Sequence, residues 1–226
     1  MVEGTPQNNP MEVEHSMVLI HLAASRFSPP HINPDFLRFN EVVDPAWQLD
    51  LPVIIESRFS QVDYTNGLSV TAGEDYFKVA QAGPTLNLEE IAVPNVIARY
   101  LGVTPLAVEY KAIITEWRGT LRIENQGEGL TFSPLHGLAQ RATSSGATPE
   151  AQIRLSYEFP EKNIALFASE AILDNAVIEV QLGGLAFRNM ENLPADSQDE
   201  FINSVLEGLN QDIYGFVELA TQFYFG

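Results

Sequence analysis

The sequence predicts an α+β protein built on antiparallel sheets with helices. Segments with alternating apolar residues come in runs before each amphipathic helix, whereas a doubly wound parallel sheet would alternate strand and helix. The Asn66-Gly67 pair favours a tight hairpin turn in which both residues have a positive φ, and therefore an antiparallel connection. Because the order of segments repeats, we expect two pseudo-repeated units of four strands and a helix, at about residues 17–105 and 106–226.

The first half is predicted to begin with a flexible arm and to continue as four strands. Residues 1–16 form the arm, because the start of the chain is polar and contains Pro6 and Pro10. A long connection rich in proline and aspartate follows the first strand. The predicted strands are 17–27, 53–64, 68–72 and 76–82.

Each half is predicted to end in a helix. The first helix lies within residues 88–101, and Pro94 is expected in its first turn, where a missing N–H costs nothing. Ser197 and Glu200 match a capping box, and apolar residues recurring every three or four positions from Phe201 predict one last helix of about 25 residues. No linker divides the chain, so we expect one domain over residues 17–226. The remaining predicted strands are 109–123, 153–159, 164–172 and 176–187.

The charge argues against two classes of partner. Thirty acidic residues against twelve basic ones give a net charge of −18. Nucleic-acid binding needs clustered Lys and Arg, and anionic membranes repel an acidic chain. The sequence shows no signal peptide, and no apolar run approaches the ~20 residues of a membrane span. The expected location is the cytoplasm.

Signatures of the large enzyme classes are missing. The sequence has no dinucleotide-binding or Walker-type glycine motif, no G-x-S-x-G and no H-E-x-x-H, and it has no cysteine. His21 and His31 could approach each other beside Asp35 or Glu56, but their spacing is not that of metal ligands. We expect a half-buried strand histidine and a loop histidine, and neither a metal nor another cofactor.

The strand 109–123 carries one candidate ligand-binding group. Glu116, Arg118 and Arg122 share one face of the strand, and Trp117 lies on the other. These charges could line a polar cleft that binds a carboxylate or phosphate. The same pattern is also typical of a solvated face with cross-strand ion pairs.

A second candidate lies in the polar connection 124–151, which contains His136 and Arg141. A histidine and serines in one loop are no sign of a catalytic triad, since triads are recognised by their geometry. The simplest interpretation is a mobile surface loop. Its length also suits a lid or a partner-binding element.

Aromatic residues at the end of the chain suggest an interface. Tyr214, Tyr224 and Phe225 are not explained by the apolar stripe of the last helix. They either dock on the protein itself or lie at a dimer interface, and we expect a homodimer.

Two segments carry a resemblance: Val93–Leu101, which leads into Val108–Trp117, and Asp212–Leu219. They resemble a group of uncharacterised bacterial α+β proteins of about this length, which implies no activity. This chain has Glu116-Trp117-Arg118-Gly119 where a Gly-x-Asn-Phe type of strand is expected. The repeated order and the acidity are similar in pattern to SecB-like export chaperones, a similarity that carries no residue over.

Three functions remain open from the sequence. The first is a non-catalytic binding or accessory protein, chaperone-like in character, that acts on other proteins; it is favoured by the missing catalytic motifs and the long loops. The second is an enzyme or small-ligand binder with a cleft near Glu116, Arg118 and Arg122. The third is a structural subunit of a larger assembly.

Overall fold

Nine antiparallel strands form one sheet in the order β2-β3-β4-β5-β1-β6-β9-β8-β7, which confirms the predicted α+β class. The computed structural model describes residues 13–25, 27–104, 108–124, 152–172 and 177–225. The strands are β1 Val13–Ser25, β2 Leu49–Ile55, β3 Phe59–Tyr64, β4 Leu68–Gly73, β5 Tyr76–Ala82, β6 Glu109–Glu124, β7 Gln152–Glu158, β8 Asn163–Ile172 and β9 Val177–Asn189. The helices are α1 Pro34–Phe39, α2 Val93–Val103, α3 Ala195–Glu207 and α4 Leu209–Phe225, with 3₁₀ turns at Pro29–His31 and Leu88–Glu90.

The pairing of β1 with β6 holds the two halves of the chain in one sheet. It runs from Val13 opposite Leu121 to Ser25 opposite Glu109. All strands of the first half lie on the β1 side, and β7, β8 and β9 lie on the β6 side. The two hydrophobic faces of the halves therefore form one continuous surface.

The helices pack on one side of the sheet, which we call the helix-covered face. Strand alternation places Val18, Ile20 and Leu22 of β1 on this face, and all three are fully buried. On the β1 side the ring of Phe77 stacks on Tyr100 of α2, with ring centroids 3.9 Å apart. The opposite side, the open face, carries the alternate residues of each strand.

Trp117 organises the helix-covered face on the β6 side. Its ring is 1 % exposed and lies parallel to Phe216 of α4. A Cβ at Gly119 would overlap the Trp117 ring, and a Cβ at Gly184 would overlap the Phe216 ring. The two glycines therefore make room for the aromatic pair.

Two polar contacts fix α3 and α4 on the sheet. The side chain of Gln198 in α3 accepts a hydrogen bond from the backbone N–H of Tyr110 and donates one to the backbone carbonyl of Tyr110, both at 2.9 Å. Asp212 of α4 is buried and binds Arg188 of β9 and Lys162. Because Arg188 is also buried, its charge depends on the Asp212 carboxylate.

The prediction of four strands in the first half is wrong. Residues 53–64 were expected to form one strand, but β2 ends at Ile55 and β3 begins at Phe59. A tight turn closes between them, in which the N–H of Glu56 donates to the carbonyl of Phe59. The turn contains no Gly, Pro or Asn, so the sequence gives no sign of it.

The hairpin at Asn66-Gly67 forms, but not with the predicted turn. Of these two residues, only Gly67 has a positive φ, of 81°. The Gly67 N–H donates to the carbonyl of Tyr64, which is typical of a three-residue loop that ends in a left-handed glycine. A Cβ there would overlap the Ala82 carbonyl, so the position requires glycine.

The two ends of the chain also differ from the sequence prediction. Residues 13–16 belong to β1, so they are not part of an arm. The single last helix is two helices that meet at Gly208, where the lack of a side chain weakens helix continuity. Pro194 occupies the N-cap position of α3, and Ser197 does not cap it. None of the helices in the described ranges is long and apolar enough to cross a membrane.

The neighbouring Gly183 and Gly184 provide a matched test of this packing. Gly184→Ala should lower the free energy of unfolding by about 1–3 kcal/mol, because the new methyl group overpacks against Phe216. In Gly183→Ala the new methyl group has its nearest neighbour at 3.6 Å, so the free energy should stay constant or rise by up to about 1 kcal/mol. Urea denaturation measures both. Equal losses would mean that Phe216 does not fill the space above Gly184.

The buried charge pair gives a second prediction. Asp212→Ala should lower the free energy of unfolding by about 3–5 kcal/mol, because the Arg188 charge stays buried without its partner. Replacing both members with Asp212→Leu and Arg188→Met should recover most of this loss. Glu207→Ala, at an exposed position of α3, is the control and should change stability by less than about 0.5 kcal/mol. A small effect of Asp212→Ala would contradict this account.

Candidate functional site

Four open-face residues lie in one row across β6, β9, β8 and β7. The registers place Arg118 opposite Gly183, Gly183 opposite Phe167, and Phe167 opposite Arg154. An arginine therefore lies at each end of the row. Between them, the glycine leaves a depression beside the phenyl ring.

This row is part of a groove with a volume of about 860 Å³. Residues from five strands line it, with Ser16 of β1 at one end and residues 152–154 of β7 at the other. The open-face side chains that define it are Glu116, Arg118, Arg154, Phe167 and Gln181.

Both arginines of the groove contact a neighbouring side chain. Arg118 donates to Oε1 of Glu116 from Nε at 3.0 Å and from Nη2 at 2.8 Å. The guanidinium carbon of Arg154 lies 5.2 Å from the centroid of the Phe167 ring, within the range of a cation–π contact. Phe167 is 39 % exposed, so its ring edge remains accessible to a bound molecule.

The two sides of the row differ in polarity. On one side Gln181 pairs with Thr120 of β6 and with Ser169 of β8, and the Thr120 hydroxyl donates to Gln181 Oε1 at 3.2 Å. On the other side Leu185 pairs with Ala165. Leu185 also pairs with Glu116 of β6. The groove therefore offers amide and hydroxyl groups along one wall, and aliphatic surface with one carboxylate along the other.

This arrangement can bind carboxylates and apolar groups. Guanidinium groups bind carboxylates with paired hydrogen bonds, and an exposed phenyl ring binds apolar groups. The lining residues include serines but no histidine that could act as a base for them. Within the part of the chain that the structure describes, no three or more metal-ligating side chains come together.

The structure separates the residues that the sequence grouped. Glu116 and Arg118 line the groove. Arg122 is on the same face but outside the lining, with Glu179 at 3.6 Å and Glu14 at 4.0 Å. His136 and Arg141 lie outside the described residues.

The predicted interface residues are only partly described. Tyr214 of α4 is 59 % exposed, as an interface residue of the free chain would be. Tyr224 and Phe225 belong to α4, but their side chains lie outside the described part of the structure.

Sequence reasoning missed Arg154, Phe167, Gln181 and Gly183. Alternation along β7 and β8 places Arg154 and Phe167 on one face of each strand, but only the strand register brings them to Arg118. Gly183 carried no signal, because a glycine in a strand more often marks a bulge.

The groove rests on a histidine–tryptophan contact below it. Trp117 Nε1–H donates to Nδ1 of His15 at 2.9 Å, so this nitrogen of His15 carries no proton. Burial lowers the pKa of His15 below its ordinary value of 6.5. Burial also lowers the pKa of His21, which lies on the open face of β1 beside Tyr76.

No protein-family model matches this chain, and no curated protein matches it significantly.

The histidine contact predicts a loss of stability in acid. A histidine whose pKa is lowered in the folded state stabilises the protein above pH 6.5, and this contribution falls as the pH drops below 6.5, because the unfolded chain binds the proton first. His15→Asn retains an acceptor for Trp117 and should reduce the difference in unfolding free energy between pH 7.5 and pH 5.5. Denaturant titrations at the two pH values measure it, and an unchanged difference would show that His15 does not titrate in this range.

Proposed function

We propose that this protein is a non-catalytic binding protein that holds an extended segment of another protein in the groove of its open face. The observation that supports this proposal is the row formed by Arg118, Gly183, Phe167 and Arg154. It combines an apolar depression with two cations in a groove that follows the sheet surface.

The dimensions of the row suit a short peptide segment. Its three interstrand steps, at about 4.8 Å each, separate the Cα atoms of the two arginines by roughly 14 Å. An extended chain rises about 3.3 Å per residue, so roughly four residues span this distance. Such a segment would place an apolar side chain over Gly183, beside Phe167, and acidic groups near Arg118 and Arg154.

The polar wall suits the backbone of the same segment. Peptide N–H and C=O groups need partners when a surface covers them, and Gln181 and Gln152 offer both a donor and an acceptor. These partners are side-chain amides on the face of the sheet, whereas strand addition to a sheet edge uses the backbone of the edge strand.

The charge distribution favours an acidic segment. The chain has only twelve basic residues, and two of them lie in this row. The rest of the acidic surface repels anions at long range, but at physiological salt this effect is screened beyond about 8 Å. A carboxylate that reaches the groove therefore meets Arg154 and the remaining N–H groups of Arg118, whose guanidinium also binds Glu116.

We also retain the pseudo-repeat as part of this proposal. From the centre of the sheet outward, the first half has the order β1, β5, β4, β3 and the second half β6, β9, β8, β7. If β2 is counted as an extra strand at the edge, each half has its first strand at the centre of the sheet. Its fourth, third and second strands then follow outward. This is the pattern that is similar to SecB-like chaperones, and it supports the protein-binding class by analogy of fold alone.

A small carboxylate ligand is the second candidate. The groove volume is within the roughly 300–1,000 Å³ that is usual for small-ligand sites. Such sites bury most of the ligand surface, however, and in the described ranges α2, α3 and α4 all contact the opposite face of the sheet.

Fluorescence anisotropy with two labelled peptides tests the proposal. One peptide carries a central Leu with a Glu on each side, four positions apart, and the other has Lys in place of Glu. The Glu peptide should bind more tightly. Arg154→Gln should weaken it roughly 10–100-fold, since a hydrogen bond to a charged group contributes about 1.5–3 kcal/mol. Gly183→Leu should abolish binding, because its side chain fills the groove.

Two variants control for general effects of charge and bulk. Arg58→Gln removes an exposed arginine far from the groove, and Ser69→Leu adds the same bulk elsewhere on the open face; neither should change binding. If decanoate binds to the wild type but not to Gly183→Leu, and neither peptide binds, the small-ligand candidate replaces the proposal. Equal binding of the Glu and Lys peptides would also refute the proposed binding of an acidic segment.

A further inference from the structure

The two outer strands of the sheet differ in how they meet solvent. In β2 the register with β3 shifts between Asp50 and Ile54, and Pro52 lies within this irregular stretch. A bulge and a proline are two ways in which proteins prevent an edge strand from pairing with another chain. Strand β7 has neither, because it pairs with β8 without interruption from Gln152 to Glu158.

Strand β7 also alternates strictly between polar and apolar residues. Arg154, Ser156 and Glu158 are exposed, whereas Ile153 and Leu155 are half-buried on the helix-covered face. No described strand pairs with the outer side of β7. A regular edge strand with a defined pattern on both faces can accept one more antiparallel strand.

We propose that this strand is β7 of a second copy, and that two chains join edge to edge about a twofold axis at Ser156. In a symmetric antiparallel pair, each residue faces the residue equally far on the other side of the axis. Arg154 then lies opposite Glu158 of the second copy, and the symmetry repeats this pair.

The charges select this register among the neighbouring ones. A pair centred on Leu155 would place Arg154 opposite Ser156. A pair centred on Tyr157 would place Arg154 opposite Pro160, which lies beyond the end of β7. Only the axis at Ser156 places the arginine and the glutamate directly across from each other on both sides. Among the described residues neither side chain is in an ion pair of the single chain, and Arg154 contacts the Phe167 ring.

The apolar residues of the other face match in the same register. Leu155 lies opposite Tyr157, and Ile153 lies opposite Phe159 of the second copy. Pairs of an aromatic with an aliphatic residue stabilise antiparallel strands. The pairing would also cover Phe159, which is 46 % exposed and whose ring stacks on Tyr157 in the single chain.

The dimer has a consequence for the open face. A twofold axis perpendicular to the sheet places the open faces of both copies on the same side, so the two grooves approach each other at their Arg154 ends. Arg154 has five N–H donors and can contact Glu158 and a bound carboxylate together. The inference itself rests on β7 alone and does not require the proposed function.

Cysteine cross-linking tests the register, since the chain has no native cysteine. In Ser156→Cys the two thiols face each other across the axis, and mild oxidation should give a covalent dimer. Gln152→Cys, at an exposed position of the same face, is the matched control. Its two thiols would be about 26 Å apart, eight residues along the strand, and should not cross-link. Equal cross-linking of both variants would indicate random collision and overturn the register.

A charge exchange tests the contact itself. Sedimentation equilibrium should show a dimer for the wild type at physiological salt. Arg154→Glu and Glu158→Arg, each alone, should weaken dimerisation about tenfold or more by placing like charges opposite each other. The double variant should recover dimerisation to within about threefold of the wild type, because the exchanged charges again attract. A monomeric wild type would overturn the inference. So would a double variant that dimerises no more tightly than either single variant.

Tyr214→Ser separates this interface from one formed by α4. It should leave the dimer intact if β7 is the interface. A monomeric Tyr214→Ser, together with charge variants that dimerise normally, would assign the dimer to α4 instead and refute the β7 pairing. Peptide anisotropy on Glu158→Arg keeps the two proposals apart, because Glu158 does not line the groove. Peptide binding by a monomeric Glu158→Arg would leave the proposed function standing.

Discussion

The antiparallel pairing of β1 with β6 is the constraint on which the rest of the structure depends. It pairs residues that are about a hundred positions apart in the chain, such as Val18 and Trp117, and it is the only described connection between the two groups of strands in the sheet. Because directly paired residues share a face, Val18 of β1 and Trp117 of β6 lie side by side under the helices. Every other strand takes its side-chain orientation from this pair through the continuous ladder. A slip of one residue here would turn the apolar side of one half towards the open face.

The two faces of β6 have opposite roles, and their separation follows from strand alternation. Trp117 points to the helices, where Gly119 and Gly184 leave the space that its ring and Phe216 need. Arg118, the next residue, points to the open face and forms one end of the groove. The tight packing beneath fixes the backbone from which the groove is built. A rigid base of this kind reduces the conformational entropy that a bound peptide segment would otherwise cost the protein.

The edges of the sheet complete this division between protected and available surface. Strand β2 is interrupted around Pro52, while β7 is regular and carries Arg154 and Glu158, which the proposed dimer would place opposite each other. The groove and this edge share Arg154, so assembly and binding would meet at one side chain. In the proposed dimer, sheet geometry would connect a local sequence pattern, the alternation of β7, to the form of the assembly.

The sequence by itself determined the α+β fold class, the positions of most strands and the common face of Glu116 and Arg118. These follow from alternation and helical periodicity, which are local properties of the chain. It could not determine that residues 53–64 turn back on themselves, since a turn without glycine or proline is selected by the sheet that surrounds it. The groove was also beyond its reach. Arg118, Gly183 and Arg154 are distant in the chain and meet only through the register of four strands. That register is fixed by the burial of one whole sheet face under the helices, which is a property of the tertiary structure alone.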